Sequence, residues 1–150
     1  MGKLPEPGTP LWGAWLRFTD FHTWLIRRSG GRIGARWGGA GILVLHHVGA
    51  RTGTARTAPL LFGRDGDDLV IVASQGGSDA NPAWLANLRA RPDTTVELPG
   101  EREPRPVRAR EVDGEERERL WRMMVGLYRS YESYQRATSR RIPVLVLEPR

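Results

Sequence analysis

Three stretches of this sequence carry side chains whose types and spacing suit chemistry. The first reads Gly49-Ala50-Arg51-Thr52-Gly53-Thr54-Ala55-Arg56. Glycines at both ends of a tight turn permit conformations that gather backbone N–H groups. Thr52 and Thr54 add hydroxyls, and Arg51 and Arg56 flank them with forked donors that match phosphate geometry. The segment reads either as a phosphate site or as an ordinary basic β-turn. It is not a P-loop, because no Gly-x4-Gly-Lys sequence is present. The second stretch is Ala73-Ser74-Gln75-Gly76-Gly77, followed by Asn81-Pro82-Ala83-Trp84. A strand end meeting a helix N-terminus suits an anion or a polar ligand. Trp84 either walls a flat ring there or belongs to the core. The third is Tyr128, Tyr131 and Tyr134, spaced to lie along one side of a helix. Such a stripe is either packing or a set of hydroxyls that donate hydrogen bonds or a proton at a pocket mouth.

Other chemistry is poorly represented. His46 and His47 are neighbours in a strand, so their side chains point to opposite faces and cannot join one site. With three His and no Cys, the chain has no recognisable metal-ligand spacing and no thiol nucleophile, so no metal is expected. No nucleophile elbow, dinucleotide fingerprint or paired carboxylates with a supporting His stand out. An enzyme built from these residues borrows its chemistry from an organic cofactor.

The elements that must position these residues follow from the hydrophobic pattern. Residues 1–10 are rich in Pro and Gly and read as a mobile tail. Residues 11–29 carry a helical pattern with Trp12, Trp15, Leu16, Trp24 and Leu25, ended by Gly30 and Gly31. Its Trp and Arg content leaves two roles open: a terminal helix packed on the body, or one lying on an anionic membrane surface. Residues 32–41 are a Gly- and Arg-rich connector. Strands are expected at 42–48, 55–62, 68–74, 94–98, 107–112 and 142–147, with a hairpin turn at Asp65-Gly66-Asp67. Asn81 is expected to cap a helix with Pro82 at its first position, running to about Ala90 with Trp84 and Leu88 inward. Asp113 is expected to cap a second helix over 115–127. Six strands with little strand–helix alternation predict an α+β, mainly antiparallel barrel or sheet with helices outside. Residues 11–150 then form one domain.

The composition of the 150 residues is compatible with one core: 39% are hydrophobic and six are Trp. No run of about 18 apolar residues is present to span a membrane. The Pro-rich start does not look like a signal peptide. The absence of Cys points to an intracellular, cytoplasmic setting. The net charge is +6, and it is confined to residues 1–63, which hold eight basic side chains against Glu6 and Asp20. Residues 64–150 balance. That asymmetry favours an anionic partner for the first part of the chain. Nucleic acid is not expected, since no binding motif is present and the aromatics do not interleave with the basic positions.

Taken together, these segments resemble the deazaflavin-dependent nitroreductase family. Residues 48–60 (VGARTGTARTAPL) are similar to its G-R-K/R-S/T-G-x-x-R-x-x-P-L segment, and Val72 to Gly77 with Asn81, Pro82, Trp84, Asn87 and Leu88 are similar to V-A-S-x-G-G…N/H-P-x-W-x-x-N-L. Trp24 to Arg28, Gly30 to Gly34 and the three tyrosines extend the likeness over nearly the whole chain. The resemblance implies a split β-barrel of the FMN-binding type with flanking helices. It implies coenzyme F420, rather than FMN, as the source of hydride for a quinone, nitroaromatic or activated double-bond acceptor. The alternatives are an FMN-binding split-barrel reductase and a non-catalytic deazaflavin carrier. By position, Arg51, Thr52, Gly53, Arg56, Pro59, Ala73, Ser74, Gln75, Gly76, Trp84 and Asn87 are implied cofactor contacts. Ser74, Tyr128, Tyr131 and Tyr134 are implied to line the acceptor site, with Tyr131 the first choice for stabilising the developing oxyanion. Ala50 and Gln75 depart from the pattern, because both positions are often cationic in the family. The Trp and Arg content of residues 11–29 leaves room for peripheral association with the inner face of the plasma membrane.

Overall fold

The computed structural model describes residues 36–37 and 40–150, with side chains from 41 onward. The expected tail 1–10 and helix 11–29 lie outside the described residues. Seven strands are present: β1 (Arg36–Trp37), β2 (Ala40–Val48), β3 (Ala55–Asp65), β4 (Asp68–Val72), β5 (Asp93–Glu97), β6 (Arg105–Glu111) and β7 (Val144–Pro149). Three helices are described: α1 (Ala83–Ala90), α2 (Gly114–Leu127) and α3 (Ser130–Arg136). All pairings are antiparallel, in the order β1-β2-β3-β4-β7-β6-β5. Val44 opposite Glu97 and Leu45 opposite Val96 join β2 back to β5, closing six strands into a barrel.

The two-residue alternation of each strand sorts the core into two layers. Leu69 and Ile71 of β4 and Leu145 and Leu147 of β7 meet Leu43, Leu45, Val96 and Val107 inside the barrel. Trp84, Leu85 and Leu88 of α1 join this cluster, so one face of that helix completes the barrel core. Their alternates Val70, Val72, Val144 and Val146 face outward and are covered by Leu120 and Met124 of α2 and Tyr131 of α3. The amphipathic stripe of α2 exists to bury that outer face.

The barrel is not sealed along its whole length. Residues Gly63, Arg64 and Asp65 pair with Val70, Leu69 and Asp68 around the expected hairpin. Beyond Gly63 and Val70 the two strands part. Among the described residues, Ala55 to Phe62 are then bonded on the β2 side only. Pro59 sits in this free edge, where its missing N–H breaks no ladder bond.

Several boundaries differ from the expectations. Arg36–Trp37 is a strand within the stretch read as connector, because it folds back on Ala40 and Gly41. β4 stops at Val72 rather than Ser74, and β7 starts at Val144 rather than Ile142. The helix expected to open with Pro82 begins at Ala83, with Pro82 itself at the N-cap and no side-chain cap bond. Asn81 does not cap it, because its Oδ1 instead accepts from Arg140 Nη1 at 2.9 Å. Asp113 does hold the N-cap position of α2, yet its carboxylate makes no cap bond. Glu115 and Glu116 in the first turn supply the negative charge that end of the helix favours.

Candidate functional site

Two walls flank the opening between β3 and the chain that continues from β4. On one side stand the 49–54 turn and the free edge of β3; on the other stand the 73–78 loop and α3.

The turn is more tightly knit than its sequence suggests. Gly49 N–H donates to Thr54 O, and Gly53 N–H donates to Gly49 O, each at 2.9 Å. Thr54 N–H donates to Thr52 Oγ1 at 3.2 Å, and Ala50 N–H donates to Asn87 Oδ1 at 2.9 Å. Most of the N–H groups expected to face a ligand are therefore consumed, and Arg51 and Thr52 keep theirs at the exposed tip. Gly53 supplies the left-handed φ of 68° that closes the turn. Arg51 and Arg56 are exposed and have no carboxylate partner among the described residues, whereas Arg89, Arg108, Arg110, Arg119 and Arg141 all have one. His47 lies opposite Arg56 in the β2–β3 ladder, buried, with Nδ1 2.9 Å from Asn87 Nδ2. Desolvation, with Arg56 and His46 nearby, lowers its pKa from 6.5 to about 4, so the ring is neutral at physiological pH. His46 points the other way, to Glu97 at 2.7 Å, as the strand alternation predicts.

The opposite wall is a strained loop held in a clamp. Gln75 adopts φ 44° although it carries a side chain, and Gly76 and Gly77 follow at 62° and 84°. A Cβ on Gly77 would fall 2.8 Å from Tyr134 O, so α3 can approach the loop only at glycine. Arg140, absent from the sequence-based candidates, grips the loop from behind. Its Nε donates to Ser78 O at 2.8 Å, Nη1 to Ala73 O at 3.2 Å, and Nη2 to Ser74 O at 2.8 Å. Desolvation lowers its pKa from the ordinary guanidinium value, opposed by the charge of Asp79. No periodicity marks Arg140, since its partners are backbone carbonyls 62 to 67 residues away.

The tyrosines gather, though not on one helix. Tyr128 is extended, at φ −146°, and ends α2; α3 starts two residues later. An uninterrupted helix is thus replaced by a corner that turns all three rings together. Tyr131 meets Tyr128 edge-on at 5.2 Å and Tyr134 at 6.2 Å, and it is the most buried of the three. The hydroxyls of Tyr128 and Tyr134 share a hydrogen bond of 3.1 Å. Burial raises the pKa of Tyr131 and Tyr134 well above the ordinary phenol value, so both stay protonated and able to donate. Of the remaining candidates, Trp84 is only 7% exposed and packs in the barrel core. Pro59 and Ser74 border the opening, and Ala73 packs at the barrel-core end of the loop.

These residues fit an anionic, ring-bearing cofactor. Gln75 Nε2 is buried without a hydrogen-bond partner, beside a backbone held in an unfavourable conformation. A buried donor with no partner among the described residues, on a backbone at positive φ, is free to donate a bond to a ligand.

A closed six-stranded antiparallel barrel in which β3 and β4 part beyond Gly63 and Val70 is a split barrel. The chain is similar over 71% of its length to a solved F420-H2 dependent reductase, at 36% identity and a TM-score of 0.65, covering 93% of that chain. It is similar to a second structure, described as a domain-swapped dimer, at 33% identity and a TM-score of 0.68, covering 91% of this chain and 98% of that one. An F420H(2)-dependent quinone reductase of Mycobacterium tuberculosis is 40% identical over 134 residues, 86% of this chain and 88% of its own length. The family model for F420H(2)-dependent quinone reductase matches residues 17–149. The chain belongs to the F420H(2)-dependent quinone reductase family and is an oxidoreductase that works with coenzyme F420.

Proposed function

We propose that this chain holds the reduced cofactor in the opening between β3 and the 73–78 loop and passes its reducing equivalents to a quinone seated against the tyrosine corner. When bound, the cofactor supplies a hydride. The protein's own residues hold, orient and neutralise. Arg51 and Arg56 offset the charge of the anionic phosphate and tail, and the Thr52 N–H and hydroxyl and the turn shaped by Gly53 complete that end. Gln75 Nε2 donates the hydrogen bond that it lacks inside the protein, at a loop kept open by Gly76 and Gly77. Pro59 offers a short apolar surface to a flat ring, while Ala73 and Trp84 support it from within the core. Tyr128, Tyr134 and Ser74 donate to the oxygen on which charge develops as the acceptor is reduced. Tyr131, packed edge-on against both other rings, sets their orientation.

The observation that carries this reading is the parted β3–β4 edge with an unpartnered buried donor beside it. The test is parallel titration with coenzyme F420 and FMN, followed by steady-state turnover with menadione, a nitroaromatic and an enone. F420 binding with menadione reduction supports the reading. Binding of FMN alone would make the chain an FMN reductase, and F420 binding with no turnover of any acceptor would make it a carrier. We further propose that residues 11–29 dock on anionic lipid and bring the site to a membrane-dissolved acceptor; their Trp and Arg content supports this.

A further inference from the structure

The geometry points to His47 as a positioning residue that, through the Asn87 carboxamide, locks the 49–54 turn in the form that presents Arg51. None of the groups involved is charged, and the protonation states can be read from the bonds. Ala50 N–H is a donor only, so the Asn87 atom 2.9 Å from it must be Oδ1. The other end of the carboxamide is then an NH₂ group, also a donor, and it faces His47 Nδ1 at 2.9 Å. His47 Nδ1 must therefore carry a lone pair, which places the imidazole proton on Nε2. A backbone N–H at the turn thus dictates the tautomer of a histidine on the neighbouring strand, and the histidine in turn fixes which way the carboxamide points.

The consequence reaches the site. Asn87 and His47 are each 8% exposed, so neither group exchanges its partner for water without a local opening. Asn87 spends both ends of its amide inside the protein. It acts on a ligand through Ala50, the residue immediately before Arg51, rather than by touching it. Ala50 brings no charge of its own to the turn. Here the position contributes a backbone anchor, and the burden of anion binding passes to Arg51 and Arg56. Without the lone pair on His47, the carboxamide loses its fixed orientation. The exposed turn then samples conformations in which Arg51 is displaced, and the cost falls on the phosphate-bearing part of the ligand alone.

The inference uses the cofactor reading only for what the turn is for, so the test has arms that do not depend on it. In ligand-free protein, nitrogen NMR of the imidazole should find the proton of His47 on Nε2; a proton on Nδ1 would overturn the assignment. His47→Leu removes the acceptor, and His47→Asn keeps one close to the position of Nδ1. Amide exchange at Ala50 should quicken in His47→Leu and return towards wild type in His47→Asn. Coenzyme F420 should bind about 10-fold more weakly to His47→Leu, the scale of one lost hydrogen bond, with most of that loss recovered in His47→Asn. The phosphate-free deazaflavin nucleoside should bind both variants like wild type. Unchanged Ala50 exchange in a folded His47→Leu protein, or equal weakening of both deazaflavins, would refute the relay. If His47→Leu does not fold, Asn87→Asp takes its place: it retains the acceptor for Ala50 N–H and should pull a proton onto His47 Nδ1, visible in the same spectrum. Failure of that proton to move would equally refute the relay. Should wild type bind neither deazaflavin, the cofactor reading fails, and the tautomer and exchange data decide the relay alone.

Discussion

Arg51 and Arg56 are exposed and have no carboxylate partner among the described residues, and two uncompensated cations beside one turn make a quantitative expectation. A charge-assisted contact contributes about 1.5–3 kcal/mol. Arg51→Ala should therefore weaken coenzyme F420 by at least tenfold while leaving the thermal unfolding midpoint in place; an unchanged dissociation constant at moderate salt would remove Arg51 from the site. The phenols separate in the same way. Tyr131 is packed among aromatic rings and its hydroxyl makes no hydrogen bond to the described residues, so Tyr131→Phe should change turnover little. Tyr134→Phe and Tyr128→Phe each break the 3.1 Å hydroxyl pair. If that pair donates to the acceptor, one of them should lower menadione turnover about 100-fold without altering cofactor affinity. The reverse ranking would return Tyr131 to the role implied by the family resemblance. His47 gives a pH expectation. Its folded pKa of about 4 lies below the unfolded 6.5, so the unfolded chain takes up the proton first as pH falls. The stability contribution is complete above pH 6.5 and drains away towards pH 4, by up to about 3 kcal/mol. Urea unfolding midpoints at pH 7, 5.5 and 4 should fall more steeply for wild type than for His47→Asn.

Among the elements, the 73–78 loop depends on the most distant support. One guanidinium satisfies the carbonyls of Ala73, Ser74 and Ser78 together with Asn81 Oδ1. Removing it takes the guanidinium from the carbonyls of Ala73 and Ser78, and leaves Ser74 O with only the Gly77 N–H, on a loop that already holds Gln75 at positive φ. Arg140→Met, which keeps the length of the stem, should cost about 1–3 kcal/mol of stability and quicken amide exchange across 74–78. Arg140→Met with wild-type exchange in that loop would show that backbone packing alone suffices. The α2–α3 corner is also an element-scale device. A continuous helix would have spread the three rings along a rod, whereas the extended residue at Tyr128 folds them into one cluster and sets the Tyr134 backbone against Gly77.

At the scale of the molecule, the barrel is closed by β2–β5 pairing and parted where β3 leaves β4, so one sheet is both scaffold and cleft. No helix among the described residues is long and apolar enough to cross a membrane. The proposed docking on lipid is assigned to residues 11–29. Full-length protein should co-sediment with anionic vesicles at low salt, less so at high salt, and the loss of residues 1–29 should abolish it. Indifference of the full-length protein to such vesicles at low salt would assign that segment to the fold instead.

What the sequence determined by itself was whatever depends on neighbours along the chain. The short apolar, β-branched runs at 42–48 and 68–74 located β2 and β4, the second two residues too long, and strand alternation sent His46 and His47 to opposite faces. The Asp65-Gly66-Asp67 turn located its hairpin, and the glycine-bounded strings around Arg51 and Ser74 marked both walls of the opening. Short-range order is encoded in short-range pattern, and these features needed nothing more. Tertiary structure alone decided the rest. Asn81 matches a helix cap by sequence, yet Arg140, 59 residues on, takes its side chain at 2.9 Å, because a charge-assisted bond from a guanidinium already held on three backbone carbonyls is stronger than a neutral cap bond. Trp84 belongs to the core because α1 turns its inner face into the barrel. The N–H groups of the 49–54 turn are mostly spent within the turn and on Asn87, a partner that becomes adjacent only once α1 has docked. Partners such as Arg140 and His47 have no periodic signature, since a hydrogen bond between residues 40 or more positions apart is a property of how the strands close and not of any local run of residues.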